Sequence, residues 1–378
     1  MKIIPKGSNY VPAVSSHTLK CQMTNMMYND IGFRFFDKGN SFFDYDMQLI
    51  NAYDISSSEK DNNHRSRMNY PDDMVLIGDS GGFQIMMANK KGTSINIDPI
   101  KILRWMENNA DIGMNLDSPP TDNFEYSLRT SIQNFELFQN NRENYIFKLY
   151  NILHGKSYND IITWYSHVKD FDFDGWAIGI RPHTNTYLKI LSFLYLLEHG
   201  EESIYQNTHF FGISSMDNMI ALSMLSKKFD LSLTFDSSTW ATGYRFSDYY
   251  FPLDVRHKSR LGQTKNSMKS LPCDCPVCQS TDIKEIYKYD TMSPSLISYH
   301  NLYQFIETNR MINALADDMQ ALIQYGKSVN ENILISDIVN ILNDFDNYNT
   351  EYIYSKYKKL FVPKPENRIK PTNLFRSW

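Results

Sequence analysis

A chain of 378 residues with 42% hydrophobic and 21% charged residues can bury a large core of its own, which excludes a disordered or a staple-dependent protein. Its formal net charge of −5 excludes a globally basic nucleic-acid coat, so any polynucleotide must be held by a local patch. Of the four cysteines, Cys21, Cys273, Cys275 and Cys278, three fall within six residues; that crowding excludes a disulfide framework and points to a metal in a reducing compartment.

Met1 to Tyr10 lacks the apolar core of a secretory signal, and the most apolar stretch, Ile190 to Leu197, is too short to span a bilayer. These features predict a cytoplasmic protein without membrane contact. Val11-Pro12-Ala13-Val14-Ser15-Ser16 reads as a first strand and its loop, and the polar stretch Asp54 to Asn69 as an exposed insertion.

Met74-Val75-Leu76-Ile77-Gly78 is an apolar run of buried-strand type, and it ends in Asp79-Ser80-Gly81-Gly82-Phe83-Gln84. Two glycines after a strand-end aspartate let the backbone turn sharply and approach a ligand closely. The unit recurs. Ile112 to Leu116 runs into Asp117-Ser118-Pro119-Pro120, Ile146 to Leu153 into His154-Gly155, and Trp176-Ala177-Ile178 into Gly179. Phe210 to Ile213 runs into Ser214-Ser215, and Leu231 to Phe235 into Asp236. Segments of helical period, such as Pro99 to Asn108 and Tyr187 to Glu198, lie between them. Strand, polar tip, helix, strand is the pattern of a parallel α/β fold. Repeated this often, it predicts a (β/α)8 TIM barrel, with Asp79, Asp117 and Asp236 facing one pocket at the C-terminal ends of the strands.

Thr239 to Gln263 has no strong period and reads as a long loop above the barrel mouth, with Trp240, Tyr244, Tyr249 and Tyr250 placed to stack on unpaired bases. Arg256, Lys258, Arg260, Lys265 and Lys269 follow with no acidic residue among them, a track for a phosphate backbone. Residues 264–300 read as a small zinc-binding subdomain. Cys273, Cys275, Cys278 and, after 21 intervening residues, His300 complete a tetrahedral shell with no position left for water, which makes the Zn2+ structural; His257 is the rival fourth ligand. Asn301 to Gly326 reads as one amphipathic helix, followed by helices at Ile333 to Phe345 and Glu351 to Phe361. Val362 to Trp378, with Lys364, Arg368, Lys370 and Arg376, reads as an extended basic tail. The division expected is a barrel domain over 1–310, containing the zinc subdomain, and a C-terminal helical extension and tail over 311–378.

The hexapeptide Asp79 to Gln84, then Asp236 after a later strand, then Cys273-x-Cys275-x-x-Cys278 with His300, resemble the guanine transglycosylases in motif order over residues 70 to 310. Those enzymes exchange guanine in a nucleic acid for a 7-deazaguanine such as preQ0. The resemblance implies that Asp236 is the nucleophile at the ribose C1′, as in retaining glycosidases. It implies that Asp79 is the general acid and base, with a pKa raised by neighbouring carboxylates and the dry pocket. Asp117 would accept hydrogen bonds from the N–H edge of the base, and Phe83 would stack on it. Ser80, Gly81, Gly82, His154, Gly155, Gly179 and Ile180 match positions that line the pocket. The target base must leave any duplex to reach it.

Three departures from the family pattern bear on the substrate. The family commonly has glutamine at the position of His154 and a second glycine at that of Ile180. Its tRNA enzymes follow the nucleophile with a basic Pro-Thr-Arg-type run, where this chain has Ser237-Ser238-Thr239-Trp240-Ala241-Thr242-Gly243. These losses suit a branch that inserts 7-deazaguanines into DNA, often encoded by phages and acting in the host cytoplasm. The sequence therefore leans to DNA, with tRNA the alternative and a non-catalytic nucleic-acid-binding partner subunit the second; a homodimer stays open. A metal-dependent barrel hydrolase is disfavoured by the lack of a His-x-His cluster at a strand end.

Overall fold

The computed structural model describes residues 4–56, 63–90, 98–120, 123–179, 186–246, 248–260, 273–287, 290, 292–329 and 333–362. Eight parallel strands share one sheet: β1 (Gly7–Pro12), β2 (Met47–Asn51), β3 (Val75–Asp79), β4 (Ile112–Met114), β5 (Lys148–Leu153), β6 (Gly175–Ile178), β7 (Thr208–Phe210) and β8 (Ser232–Ser237). Their spatial order is β1-β8-β7-β6-β5-β4-β3-β2. A bridge between Ala13 and Leu49 links the two ends just beyond β1, so the sheet curls into a nearly closed barrel, the (β/α)8 architecture expected.

Strand and helix choices follow from burial. β3 is Val-Leu-Ile followed by Gly78, and all four are buried between the barrel interior and the helix Pro99–Asn109. That helix starts where Asp98 accepts a hydrogen bond from Lys101 N at 3.2 Å and Pro99 fixes the first turn. It buries Ile102, Leu103, Trp105 and Met106. The helix Thr186–Glu198 is buried from Leu188 to Leu196 without a polar face, because the C-terminal helices cover its outer side. There Tyr187 donates to Asp337 at 2.8 Å and the Thr350 hydroxyl binds Glu198. No helix among the described residues is long and apolar enough to cross a membrane.

β2 carries Gln48 within its apolar run, and the Gln48 amide is buried and satisfied by Gln22 and Tyr70. Three expectations for the outer segments are corrected. The polar stretch 54–69 is exposed at Asp54, Asn63, Ser66, Arg67 and Asn69 but is also anchored to the barrel. His64–Met68 is a helix that buries His64 and Met68, and Arg65 ties it to Asp111 at 3.0 Å. The stretch after Asp236 is not a loop: a short helix (Thr239–Thr242) leads into an antiparallel ribbon, Asp248–Phe251 with Asp254–Arg260. Trp240, Tyr249 and Tyr250 are buried there, so they pack the core and are not free to stack on bases. Finally, one long helix, Met292–Leu315, precedes a separate one, Met319–Val329. The long helix passes residue 310 without a break, and Asn309 and Asn313 on either side both donate to Ser8 O in β1, at 2.9 and 2.7 Å.

Candidate active site

β3 delivers Asp79 to the C-terminal rim, and the chain then turns through Gly81 at φ +91, a region that disfavours side chains. The turn is crowded as well as strained. A Cβ on Gly81 would lie 2.6 Å from that of Tyr53, and one on Gly82 would lie 2.3 Å from Asp117 Oδ1. The glycine pair therefore lets the loop pack directly against Asp117. Ser80 is buried and donates to Asn115 O at 2.9 Å, pinning the tip of β3 to that of β4. Phe83, in the first turn of the helix Gly82–Lys90, is 49% exposed at the cavity.

The cavity has a volume of about 260 Å3 and is lined by Asn51, Asp79, Phe83, Asp117, His154, Gly179 and Asp236 among others. That is below the roughly 300–1,000 Å3 of pockets for drug-sized ligands, a size for one heterocyclic base. Six residues expected from the sequence thus share one cavity. Ser80, Gly81, Gly82 and Gly155 do not line it; they shape it from behind. A Cβ on Gly155 would lie 2.6 Å from Ile161 Cγ1, so that glycine serves helix packing. Ile180 lies outside the described residues.

Asp117 and His154 form one unit. His154 Nε2 lies 2.6 Å from Asp117 Oδ2, both side chains being buried, and the imidazole stands edge-on to Trp164 at 4.9 Å. His154 Nδ1 has no hydrogen-bond partner among the described residues. A Cβ on Gly179 would sit 2.4 Å from His154 Cε1, so this glycine is what admits the ring.

Asp236, on β8, is gripped at one oxygen. Its Oδ1 accepts from Gly212 N at 2.9 Å and lies 3.3 Å from His209 Nε2. His209 is fully buried, and its Nδ1 is 3.0 Å from Thr234 Oγ1. Oδ2 has no such partner among the described residues. Asp79 is in the opposite condition. Burial, and then the charges of Asp117 and Asp236, raise its pKa to about 7, against one opposing hydrogen bond from Gly81 N. Two carboxyls of one cavity are thereby set apart: one able to exchange a proton near neutrality, the other fixed with an oxygen free. Sequence reading missed His209, Gly212 and Asn51 in this site. His209, one residue before the apolar run that starts at Phe210, was the available signal for the first.

The ligand atoms of Cys273, Cys275, Cys278 and His300 lie within 4.8 Å of one another. His300 Nε2 donates to Tyr250 O at 2.8 Å, which leaves Nδ1 unprotonated and facing the sulfurs of Cys275 and Cys278 at 3.3 and 3.2 Å. The Tyr249 hydroxyl reaches Cys278 Sγ at 3.0 Å, and Gln304 Nε2 donates to Cys273 Sγ at 3.3 Å. Three thiols and one oriented imidazole fit a tetrahedral zinc ion, with outer donors in place. Of the expected phosphate track, Arg256, Lys258 and Arg260 fall in the second strand of the ribbon, with side chains outside the described residues. The rival ligand His257 is in the same strand, also with its side chain outside them, and Lys265 and Lys269 lie outside altogether.

The family model for queuine tRNA-ribosyltransferase matches residues 38–324. The tRNA-guanine(15) transglycosylase of Methanococcus aeolicus is 26% identical over 336 residues, which cover 80% of this chain and 49% of the relative. That of Methanocaldococcus jannaschii is 28% identical over 270 residues, 65% of this chain and 37% of the relative. That of Korarchaeum cryptofilum is 26% identical over 251 residues, 61% and 38%. The chain spans about half the length of these curated relatives, or less.

Proposed function

The chain belongs to the queuine tRNA-ribosyltransferase family, and from that premise we propose that it exchanges a guanine of a tRNA for a 7-deazaguanine through a ribosyl ester on Asp236. The observation that carries the reading is the division of labour between two carboxyls around one cavity: Asp79, with its pKa near 7, and Asp236, held at Oδ1 alone. In the first half, Asp236 Oδ2 bonds to C1′ as the C1′–N9 bond breaks. The electron pair leaves with guanine, which takes its proton from Asp79. In the second half, Asp79 removes a proton from the incoming base, whose nitrogen bonds to C1′ as the ester bond breaks and the pair returns to Asp236. Asp117, supported by His154, faces the N–H edge of the base, and Phe83 covers its face. Zinc, when bound by Cys273, Cys275, Cys278 and His300, supplies a fixed fold and no reacting group.

The similarity to tRNA enzymes supports tRNA over DNA. The lean of the sequence to DNA rests on a missing basic run at Ser237-Ser238-Thr239, which is a lost contact and not a gained one. The two substrates are separated by incubating the protein with radiolabelled guanine and, in one buffer, tRNA transcripts, single-stranded DNA or duplex DNA. Label should enter tRNA. Label confined to DNA would overturn the choice of polynucleotide and leave the exchange chemistry standing.

A further inference from the structure

Lys189 is the one charged residue in the buried stretch Leu188 to Leu196 of the helix Thr186–Glu198. Burying an ammonium costs several kcal/mol unless it is well paired, and an apolar residue of similar size would pack there without that cost. Lys189 is fully enclosed, and its Nζ has one acceptor among the described residues, Phe211 O at 2.5 Å. That carbonyl belongs to the same peptide group as Gly212 N–H, which donates to Asp236 Oδ1 at 2.9 Å. Gly212 adopts φ +67, the left-handed conformation accessible to glycine, as this peptide joins β7 to the rim. The arrangement is continuous: ammonium, carbonyl, amide, carboxylate. A positive charge on the carbonyl oxygen polarises the amide and strengthens the hydrogen bond beyond it. Burial pushes the lysine pKa down to about 8, and the charge of Asp236 opposes that shift, so the two groups sense each other.

We propose that Lys189 is a positioning residue for Asp236, acting through the Phe211–Gly212 peptide to favour the free carboxylate over the ribosyl ester and so speed its departure in the second half of the exchange. The inference rests on the base-exchange reading above. Lys189 keeps its proton throughout; the only bonds changed are those between C1′, the bases and Asp236. The ester oxygen carries less charge than the carboxylate, so a polarised donor at Oδ1 stabilises the carboxylate more. Removing the ammonium therefore slows ester breakdown and lets the adduct accumulate, an effect opposite to that of simply damaging the site.

The test uses the full chain, its Lys189→Met and Lys189→Gln variants, guanine-containing tRNA transcripts and single-stranded DNA, and a chase with excess guanine. The denaturant-resistant protein–nucleic-acid adduct is followed over time. In Lys189→Met the adduct should form and then resolve roughly tenfold more slowly than in the wild type, the scale of one charge-assisted hydrogen bond. KM for guanine should be unchanged and thermal stability undiminished. Lys189→Gln, which keeps an N–H donor without the charge, should fall between. Resolution at the wild-type rate in both variants would overturn the proposal. So would a parallel loss of formation, resolution and melting temperature, or failure of both variants to fold, since each marks a purely structural lysine. Absence of any wild-type adduct on either nucleic acid would instead remove the base-exchange reading, and this inference with it.

Discussion

His154 Nε2 stands 2.6 Å from Asp117 Oδ2, and the ring fits there only because residue 179 is glycine. A methyl group at 179 would have to displace the imidazole and, through it, the Asp117 carboxylate, which is proposed to read the base. Gly179→Ala should therefore raise KM for guanine by on the order of tenfold or more while zinc content and melting temperature stay close to wild type. Steady-state exchange at varied guanine checks this; an unchanged KM would dissociate His154 from base reading.

Asp79 carries a pH prediction whose sign is fixed by its shift. In the unfolded chain this carboxyl loses its proton near 3.8, whereas in the fold it keeps it to about 7. Between those values the native state binds the extra proton, so this residue's contribution to stability falls as the pH rises through the window and levels off above it. Asp79→Asn removes the penalty. Its melting temperature should equal or trail that of the wild type near pH 4 and exceed it at pH 8, by roughly 1–2 °C per kcal/mol relieved. Exchange by the same variant should drop by about 10²–10⁴-fold in both directions if one carboxyl serves both proton transfers, as proposed.

Much of this site was legible because its barrel units share one grammar. Val75-Leu76-Ile77 leading to Asp79 is an apolar run with a polar tip, and Leu231, Leu233 and Phe235 alternate with Ser232 and Thr234 before Asp236; both patterns belong to strands of a parallel barrel. The cysteine set was legible by spacing alone. What stayed hidden was settled by long-range burial, which no local pattern encodes. Gln48 sits inside the apolar run of β2, where Gln22 and Tyr70 satisfy its amide in the interior. Trp240 and Tyr249 looked like stacking platforms beside basic residues, yet Tyr249 lies flat on His300 at 3.7 Å and Trp240 packs edge-on to Tyr299. Lys189, just ahead of the apolar run Ile190 to Leu197, gave no local sign of its burial.

The metal set yields its own prediction. With zinc held by the three cysteines and His300 as proposed, stripping it with a chelator should lower the melting temperature and loosen the ribbon and the long helix that the site joins, as hydrogen exchange would report. Tyr249→Phe removes the hydroxyl that reaches Cys278 Sγ and keeps the ring on His300. Zinc affinity should fall by about 10–100-fold, with the cavity untouched. A fully stable and active zinc-free protein would contradict the structural role.

The central claim is that Asp236 bonds to ribose, and one measurement meets it directly. Protein incubated with a guanine-containing tRNA transcript is denatured, digested with protease and nuclease, and the peptide carrying the residual nucleotide is identified by mass spectrometry. The account predicts a ribosyl ester on the peptide containing Asp236, absent from Asp236→Asn, in which asparagine keeps the shape but is a poor nucleophile. A wild-type adduct mapped to Asp79 or Asp117, or an equal adduct in Asp236→Asn, would contradict it.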